Sequence, residues 1–321
     1  MNTEVLQPPK LSPARLLLLG AASVVLCLSY LMAAFTPFPV AMAAVLYGRA
    51  RGYLVVLTGG VVCLVSGRFL TGDYTLVVSY VVMALFGVMI AETLLRGWRP
   101  VRAMLACGLV TIALAGSMLG FSLRTTGLTA QQYATQEVSS VVARLEEARA
   151  EGKFTQDLID LGLARPPAEI ARDILHLIPG YLFIGTFFVL WVNMFLALKG
   201  RRLLHSGSPV PHDERELLTM KVPFEGVYLV VAGLALVVLA EQIPWGLAEA
   251  AGMTLLRMLG VFYFFQGFGV LLDYLNHFNV VGFFRSLLVM SVVLLAPVLV
   301  AAVGLFDTWF DFVRKLPKKT N

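Results

Sequence analysis

The sequence predicts an all-α protein, a polytopic bundle of transmembrane helices. Of its 321 residues, 58% are hydrophobic and 14% are charged, whereas a typical soluble domain has about 25% charged residues. The apolar residues form long runs rich in Ala, Gly and Leu, without the alternating polar positions of a transmembrane barrel. The lipid bilayer is therefore the first partner that we expect.

Nine apolar segments divide the chain into a membrane core and a C-terminal unit. They lie near residues 16–34, 37–48, 52–67, 74–95, 101–121, 174–198, 224–240, 250–272 and 284–305. The first six belong to a core over residues 16–200, which follows a cytoplasmic N-terminus of residues 1–15. A linker over residues 201–222 leads to C-terminal membrane helices within 223–306, and a basic tail covers 307–321.

The first segment has the outline of a secretory signal peptide, because Lys10 and Arg15 precede its apolar run. Met32, however, occupies a position at which signal peptidase requires a small residue. We therefore expect an uncleaved first helix.

Basic residues predict the orientation of the chain, because short loops rich in Lys and Arg face the cytoplasm. Four clusters are present: Lys10 and Arg15; Arg49 and Arg51; Arg96, Arg99 and Arg102; and Lys199, Arg201, Arg202, Arg215 and Lys221. For the first two clusters to share a side, the chain must cross the membrane twice between Arg15 and Arg49. Only segment 37–48 is available for the second crossing.

Segment 37–48, within "FTPFPVAMAAVLYGRARG", is short for a membrane crossing. As a helix it rises about 18 Å, against a hydrocarbon core of about 30 Å. Local bilayer thinning or burial among longer helices would accommodate this length, and we favour burial. Pro37 or Pro39 in the first turn starts the helix without removing a hydrogen bond that it needs.

Residues 124–172 are expected to leave the membrane on the non-cytoplasmic side as a small helical insert. One helix face there carries Val138, Val141, Val142 and Leu145. Two interpretations stay open, a surface helix hairpin without a ligand and a gating lid.

The side of the C-terminal tail also stays open. Nine full crossings place Arg314, Lys315, Lys318 and Lys319 outside, against the positive-inside tendency. If residues 239–245 instead fold back without crossing, eight crossings remain and the tail is cytoplasmic.

Searches for catalytic and metal-binding patterns find none. The four histidines are scattered, and the sequence lacks a His-Glu-x-x-His motif, a Cys-x-x-Cys motif and a Walker phosphate loop. We therefore expect neither an enzyme nor a cofactor nor a metal site. The net charge of +5 comes from loop residues that report topology, so no nucleic-acid partner is expected. Cys27, Cys63 and Cys107 are predicted to be buried thiols that lie far apart.

Polar side chains at membrane depth are the first candidates for a solute site, because each is costly unless it is paired or faces a cavity. They are Asn193, Arg257 and Gln266. The alternatives are an ion pair of Arg257 with Glu249 or Glu241, and hydrogen bonds of Asn193 and Gln266 across helices.

The outer loops supply the second group of candidates, aromatic and cationic residues expected around the mouth of the bundle. From this group Phe38, Arg68, Tyr74 and Trp245 are predicted to contact a small anionic or aromatic solute, with Phe35, Pro37, Asp73 and Arg124 nearby. Anchoring at the membrane interface by the same aromatic residues is the alternative.

Three stretches carry a family resemblance: "LIPGYLFIGTFFVLWVNMFLALKGRRLL", "LRMLGVFYFFQGFGVLLDYL" and "GLFDTWFDFVRK". They resemble the YybS-like family of uncharacterised bacterial multi-pass membrane proteins, which implies a bacterial inner-membrane location. "PFPVAMAAVLYGRARGYLVVLTGG" is also similar to the short proline-led second helix in S components of energy-coupling-factor transporters. That resemblance implies a six-helix S-component-like core with a solute site near the outer face.

Two hypotheses for the function follow. The first is a small-solute binding or transport module without an ATPase of its own. The second is a membrane interaction or assembly protein that binds a membrane protein partner through its insert and linker.

Overall fold

The computed structural model describes residues 13–29, 32–70, 75–150, 165–203, 210–242 and 247–315. The helices there are α1 (Pro13–Leu28), a 3-10 turn (Ala33–Phe35), α2 (Pro37–Tyr47), α3 (Arg49–Leu70), α4 (Thr75–Leu95), α5 (Pro100–Thr126), α6 (Ala130–Ala150), α7 (Pro167–Leu203), α8 (Arg215–Leu218), α9 (Glu225–Val238), α10 (Ala248–His277), α11 (Gly282–Leu295) and α12 (Pro297–Phe310). These ranges contain no β-strand, which confirms the predicted all-α bundle.

Five of these helices are long and apolar enough to cross a membrane: α3, α4, α5, α7 and α10. Three apolar helices, α1, α2 and α9, are shorter. The protein is therefore a multi-pass membrane protein that combines long helices with shorter apolar ones.

The chain forms two compact units. One comprises Met1–Leu109, Gly185–Val227 and Gly260–Asn321, and we call it the main unit. The other comprises Val110–Ile184 and Tyr228–Leu259, and we call it the second unit.

Helix α2 lies at the centre of the main unit. Ten of its eleven residues are buried, and it packs against α1, α3 and α4. Gly87 on α4 lets the backbones approach closely, because an added Cβ there would lie 2.6 Å from the carbonyl oxygen of Pro37. The prediction that this short helix is surrounded by protein is confirmed.

Cys27 on α1 and Cys63 on α3 are neighbours in the core of the main unit. Both residues are buried in the same hydrophobic core cluster, and both carry free sulfhydryl groups. The expectation that they lie far apart was wrong, because α1 and α3 pack directly against each other with α2 at their side.

The apolar segment predicted as one helix over 284–305 consists of α11 and α12. The two helices bend by 94° at the Ala296–Pro297 break, because Pro297 has no backbone N–H with which to continue α11. Arg285 Nη1 on α11 donates to Asn276 Oδ1 at the end of α10, at 2.7 Å.

The end of α12 lies beside the linker. Lys221 Nζ is 2.6 Å from Asp311 Oδ1, and the rings of Phe224 and Trp309 contact each other edge to face. Helix α10 also packs against the linker, because a Cβ added to Gly269 would meet the carbonyl oxygen of Leu218. By length and composition, the α11–α12 pair is either one broken span or a re-entrant loop.

Candidate functional site

The turn between α1 and α2, residues 32–36, lies at the level of the middle of α4. Its neighbour Pro37 contacts Gly87, which is about 18 Å along the axis from Thr75 and about 12 Å from Leu95. Pro37 and Pro39 have no N–H groups, so α2 starts here without donors that would need partners. The sequence thus places irregular backbone inside the bundle, beside the middle of α4.

Hydroxyl groups from two helices surround this turn. Ser23 Oγ on α1 is 3.4 Å from the carbonyl oxygen of Thr36 and 3.4 Å from Tyr80 Oη on α4. Tyr80 Oη donates to the carbonyl oxygen of Val55 on α3, at 3.2 Å. The two contacts of Ser23 are long for O–H···O hydrogen bonds, which are usually near 2.7–2.8 Å.

Asn193 on α7 reaches the same turn. Its Nδ2 donates to the carbonyl oxygen of Ala34 at 2.8 Å and to that of Val189 at 2.7 Å. Its Oδ1 atom and the Oγ1 atom of Thr36 are both buried without a hydrogen-bond partner, and both residues are completely buried. We call Ser23, Thr36, Tyr80 and Asn193 the turn cluster.

Unpaired polar atoms distinguish the turn cluster chemically. A buried polar group without a partner costs about 1–3 kcal/mol. Asn193 Oδ1 can only accept a hydrogen bond, whereas the Thr36 hydroxyl can donate or accept one. A small molecule with an N–H or O–H group, including water, would satisfy both.

An apolar groove of about 380 Å³ between α1 and α3 adjoins the turn cluster. Val24, Val55 and Gly59 line it, and each is next to a cluster member. Val24 follows Ser23 in the chain, Val55 accepts the hydrogen bond of Tyr80, and Gly59 contacts the Tyr80 hydroxyl. Tyr80 therefore lies between the groove and the other members of the turn cluster.

Gln266 forms a second buried cluster, which is fully hydrogen-bonded. Its Oε1 accepts from the backbone N–H of Val222 at 2.9 Å, and its Nε2 donates to Asp307 Oδ2 at 3.0 Å. Asp307 Oδ1 accepts from the backbone N–H of Phe312 at 2.8 Å. We call Val222, Gln266, Asp307 and Phe312 the tail cluster.

The residues predicted to bind a solute lie in several parts of the described chain. Phe38 packs against Gly200 of α7, two turns further along the helix than Asn193. Arg68 is exposed in the last turn of α3, and Gln266 belongs to the tail cluster. Tyr74 and Trp245 lie outside the described residues.

The loop before α2 does not reach the mouth of the bundle with Arg68, contrary to expectation. Phe35, Pro37 and Phe38 lie at the level of the middle of α4, and Pro37 is buried. The reason is length, because α2 has only eleven residues and its C-terminal end packs at the start of α3.

Of the two alternatives to a solute site for the deep polar residues, the hydrogen bonds across helices are observed and the ion pair of Arg257 is not, within the described ranges. Asn193 and Gln266 do form hydrogen bonds across helices, as the alternative predicted. In the part of the chain that the structure describes, Arg257 makes no ion pair with Glu241 or Glu249, and both glutamates are exposed. Its guanidinium instead lies over the ring of Tyr181, 5.5 Å from the centroid.

Sequence reasoning did not select Ser23, Thr36 or Tyr80. Hydroxyl residues are common in membrane helices, where they usually bond to their own helix, as Thr93 does to the carbonyl groups of Met89 and Ile90. The available signal was the presence of two hydroxyl residues near one turn, Ser23 in the helix that precedes it and Thr36 at its end.

No group of three His, Cys, Asp or Glu side chains suited to a metal ion occurs among the residues that the structure describes.

Comparison with known proteins yields one family. A family model described as "Predicted membrane protein (DUF2232)" matches residues 14–308. No curated protein and no solved structure matches the chain.

Proposed function

The chain belongs to this family of predicted membrane proteins, DUF2232, and on that premise we propose that it is a small-solute binding or transport module of the bacterial inner membrane. The ligand that fits best is a small amphipathic molecule with a hydrogen-bond donor at its polar end.

One observation carries this proposal, namely that an apolar groove adjoins unpaired buried oxygen atoms. Sites for small molecules are typically apolar clefts of about 300–1,000 Å³ with a few converging polar groups. The groove between α1 and α3 has about 380 Å³, and the unpaired atoms of Thr36 and Asn193 lie in the adjoining turn cluster. An apolar groove next to unpaired polar atoms supports a ligand with one apolar and one polar end.

Tyr80 is the gate in this proposal. Its side chain is completely buried between Gly59 of the groove and Ser23 of the turn cluster. Rotation of the ring away from Ser23 would join the groove to the turn, so the cluster as it stands corresponds to a closed state.

The module acts without catalysis and without a nucleotide site of its own. Its N-terminus is cytoplasmic in the proposal, because the basic clusters at Arg49, Arg96 and Arg201 then face the cytoplasm. The linker belongs to the same side.

Purification in lipid nanodiscs tests the proposal. Small molecules released from the native sample are identified by mass spectrometry, and a panel of amphipathic amines, amides and alcohols is screened by thermal shift. We expect at least one compound to co-purify or to raise the melting temperature. Asn193→Leu, which removes the unpaired acceptor, should weaken its binding about tenfold or more.

A groove variant with a matched control makes the test specific. Thr58→Phe fills the groove from α3, and Val61→Phe adds the same ring to an exposed position of α3 that does not line it. Binding should fail in the first variant and persist in the second. Equal binding by both variants, or a screen in which no compound binds wild type, would contradict the proposal.

A further inference from the structure

Arg257 is a cation within an apolar helix of the second unit. It lies in α10, in the sequence "GMTLLRMLGVFYFF", about 14 Å along the axis from the start of the helix at Ala248. A charged side chain at such a position is rare and usually faces a partner or a pathway.

The side chain of Arg257 is held against α7 by its stem. A Cβ added to Gly180 would lie 2.8 Å from Arg257 Cδ and 3.3 Å from Arg257 Cβ, so only glycine leaves room for the stem. The guanidinium then lies over the ring of Tyr181, the next residue of α7. The packing of α7 against α10 therefore fixes the direction of the cation.

No negative charge compensates this cation among the described residues. The carboxylates of Glu169 and Asp173 at the start of α7 pair with Arg165, and no carboxylate oxygen lies within 4.0 Å of Arg257 in the described ranges. The ring of Tyr181 attracts the cation but provides no acceptor in the plane of the guanidinium. The N–H donors of Arg257 accordingly have no acceptor within the described part of the chain.

The donors are accessible from outside the helix pair. Arg257 is only half-buried, and the adjacent Tyr181 is 59% exposed. His176 lies one helical turn before Gly180 on the same face of α7 and is also half-buried. Arg257 and Tyr181 thus lie together in one partly exposed region of the second unit.

We infer that Arg257, held over Gly180 and beside Tyr181, binds one phosphate-type oxyanion. The planar guanidinium matches two oxygen atoms of such a group with parallel hydrogen bonds. A lipid headgroup and a soluble phosphate ester have this chemistry in common. The site lies in a different unit from the turn cluster and does not depend on the function proposed above.

Two probes distinguish the sources of the oxyanion. Phosphatidylglycerol is titrated in detergent and its retention is measured by native mass spectrometry, and glycerol 3-phosphate is titrated by thermal shift. We expect wild type to retain at least one probe about tenfold or more better than Arg257→Met, which keeps the apolar stem and removes the charge. If Arg257→Met loses binding of phosphatidylglycerol, the oxyanion belongs to a lipid headgroup. If it loses binding of glycerol 3-phosphate, the oxyanion belongs to a soluble ligand.

Arg172→Gln is the matched control, because Arg172 is an exposed arginine on the same helix α7. It should bind both probes as wild type does. If Arg257→Met does not fold, Arg257→Lys is used, which keeps the charge but loses the planar fork and should bind about tenfold more weakly. Binding of both probes by the Arg257 variant at wild-type strength would overturn the inference.

Discussion

The turn cluster and the tail cluster are both buried and polar, yet they satisfy their hydrogen bonds differently. In the tail cluster, the side-chain oxygen and nitrogen of Gln266 and both oxygens of Asp307 have partners between 2.8 and 3.0 Å. In the turn cluster, Ser23 has only contacts of 3.4 Å, and Asn193 and Thr36 each keep an unpaired oxygen.

This difference separates a structural role from a binding role. A fully bonded polar network holds its elements together, whereas a network with unpaired atoms loses stability unless another molecule completes it. We therefore assign the tail cluster to anchoring of the linker and the tail. The turn cluster, with its unpaired oxygen atoms, is the ligand site in our proposal.

The sidedness of the tail gives the largest expected effect, an all-or-none labelling pattern. If the tail cluster anchors α12 to the linker, Thr219→Cys and Lys315→Cys should react with a membrane-impermeant maleimide from the same side. Ser139→Cys in α6 should react from the opposite side. Labelling of Lys315→Cys together with Ser139→Cys would place the tail outside and contradict the anchoring of the tail to the linker.

Gln266→Leu gives the next largest effect. It leaves the N–H of Val222 and one carboxylate oxygen of Asp307 buried without partners, so the free energy of unfolding should fall by roughly 3–5 kcal/mol. Unfolding in mixed detergent measures this change. Gln242→Leu, at an exposed position after α9, is the control and should remain near wild type; a similar small change for both variants would remove the anchoring role.

Thr36→Val should act in the opposite direction in the absence of solute. It replaces an unpaired buried hydroxyl by a methyl group of the same shape, so the free energy of unfolding should rise by about 1 kcal/mol. Thr93→Val is the control, because that hydroxyl is paired within α4. A loss of stability in solute-free Thr36→Val would show that the hydroxyl has a structural partner.

Lys221→Met gives the smallest effect, because both members of the Lys221–Asp311 pair are substantially exposed. The hydrogen bond from Lys221 lowers the pKa of Asp311 from its ordinary 3.8. A carboxyl group whose pKa is lowered by folding stabilises the folded state at pH values above its unfolded-state pKa. This contribution is lost as the pH falls through the pKa of the folded state. The small difference in melting temperature between wild type and Lys221→Met should therefore be present at about pH 6 and shrink below 3.8.

Much of the fold follows from the sequence, because apolar length and the positions of basic residues are local features. The short length of α2 left bilayer thinning and burial as alternatives, and the burial that we favoured is the one observed. The depth of its first turn did not, since nothing local to "FTPFPV" shows whether the turn reaches the surface. The proximity of Cys27 to Cys63 could not be predicted either, because it depends on which helices pack together.

The candidate site was less predictable for the same reason. The need of Asn193 for a partner follows from its type and position, but the partner is a backbone carbonyl 159 positions away in the chain. The break at Pro297 was hidden by apolar residues on both sides, which extend one hydrophobic run across two helices. Contacts between distant residues decide both features.

The central position of α2 also sets the order in which the protein is assembled during synthesis. Ala34 and Asn193 must both have left the ribosome before their hydrogen bond forms, and at about 5–20 residues per second the delay is roughly 8–32 s. For that time the turn before α2 lacks the side chain that joins it to α7. The nascent chain must therefore avoid aggregation while its centre is incomplete. Slower synthesis of α7 should prolong the exposure of this incomplete chain to membrane chaperones and proteases.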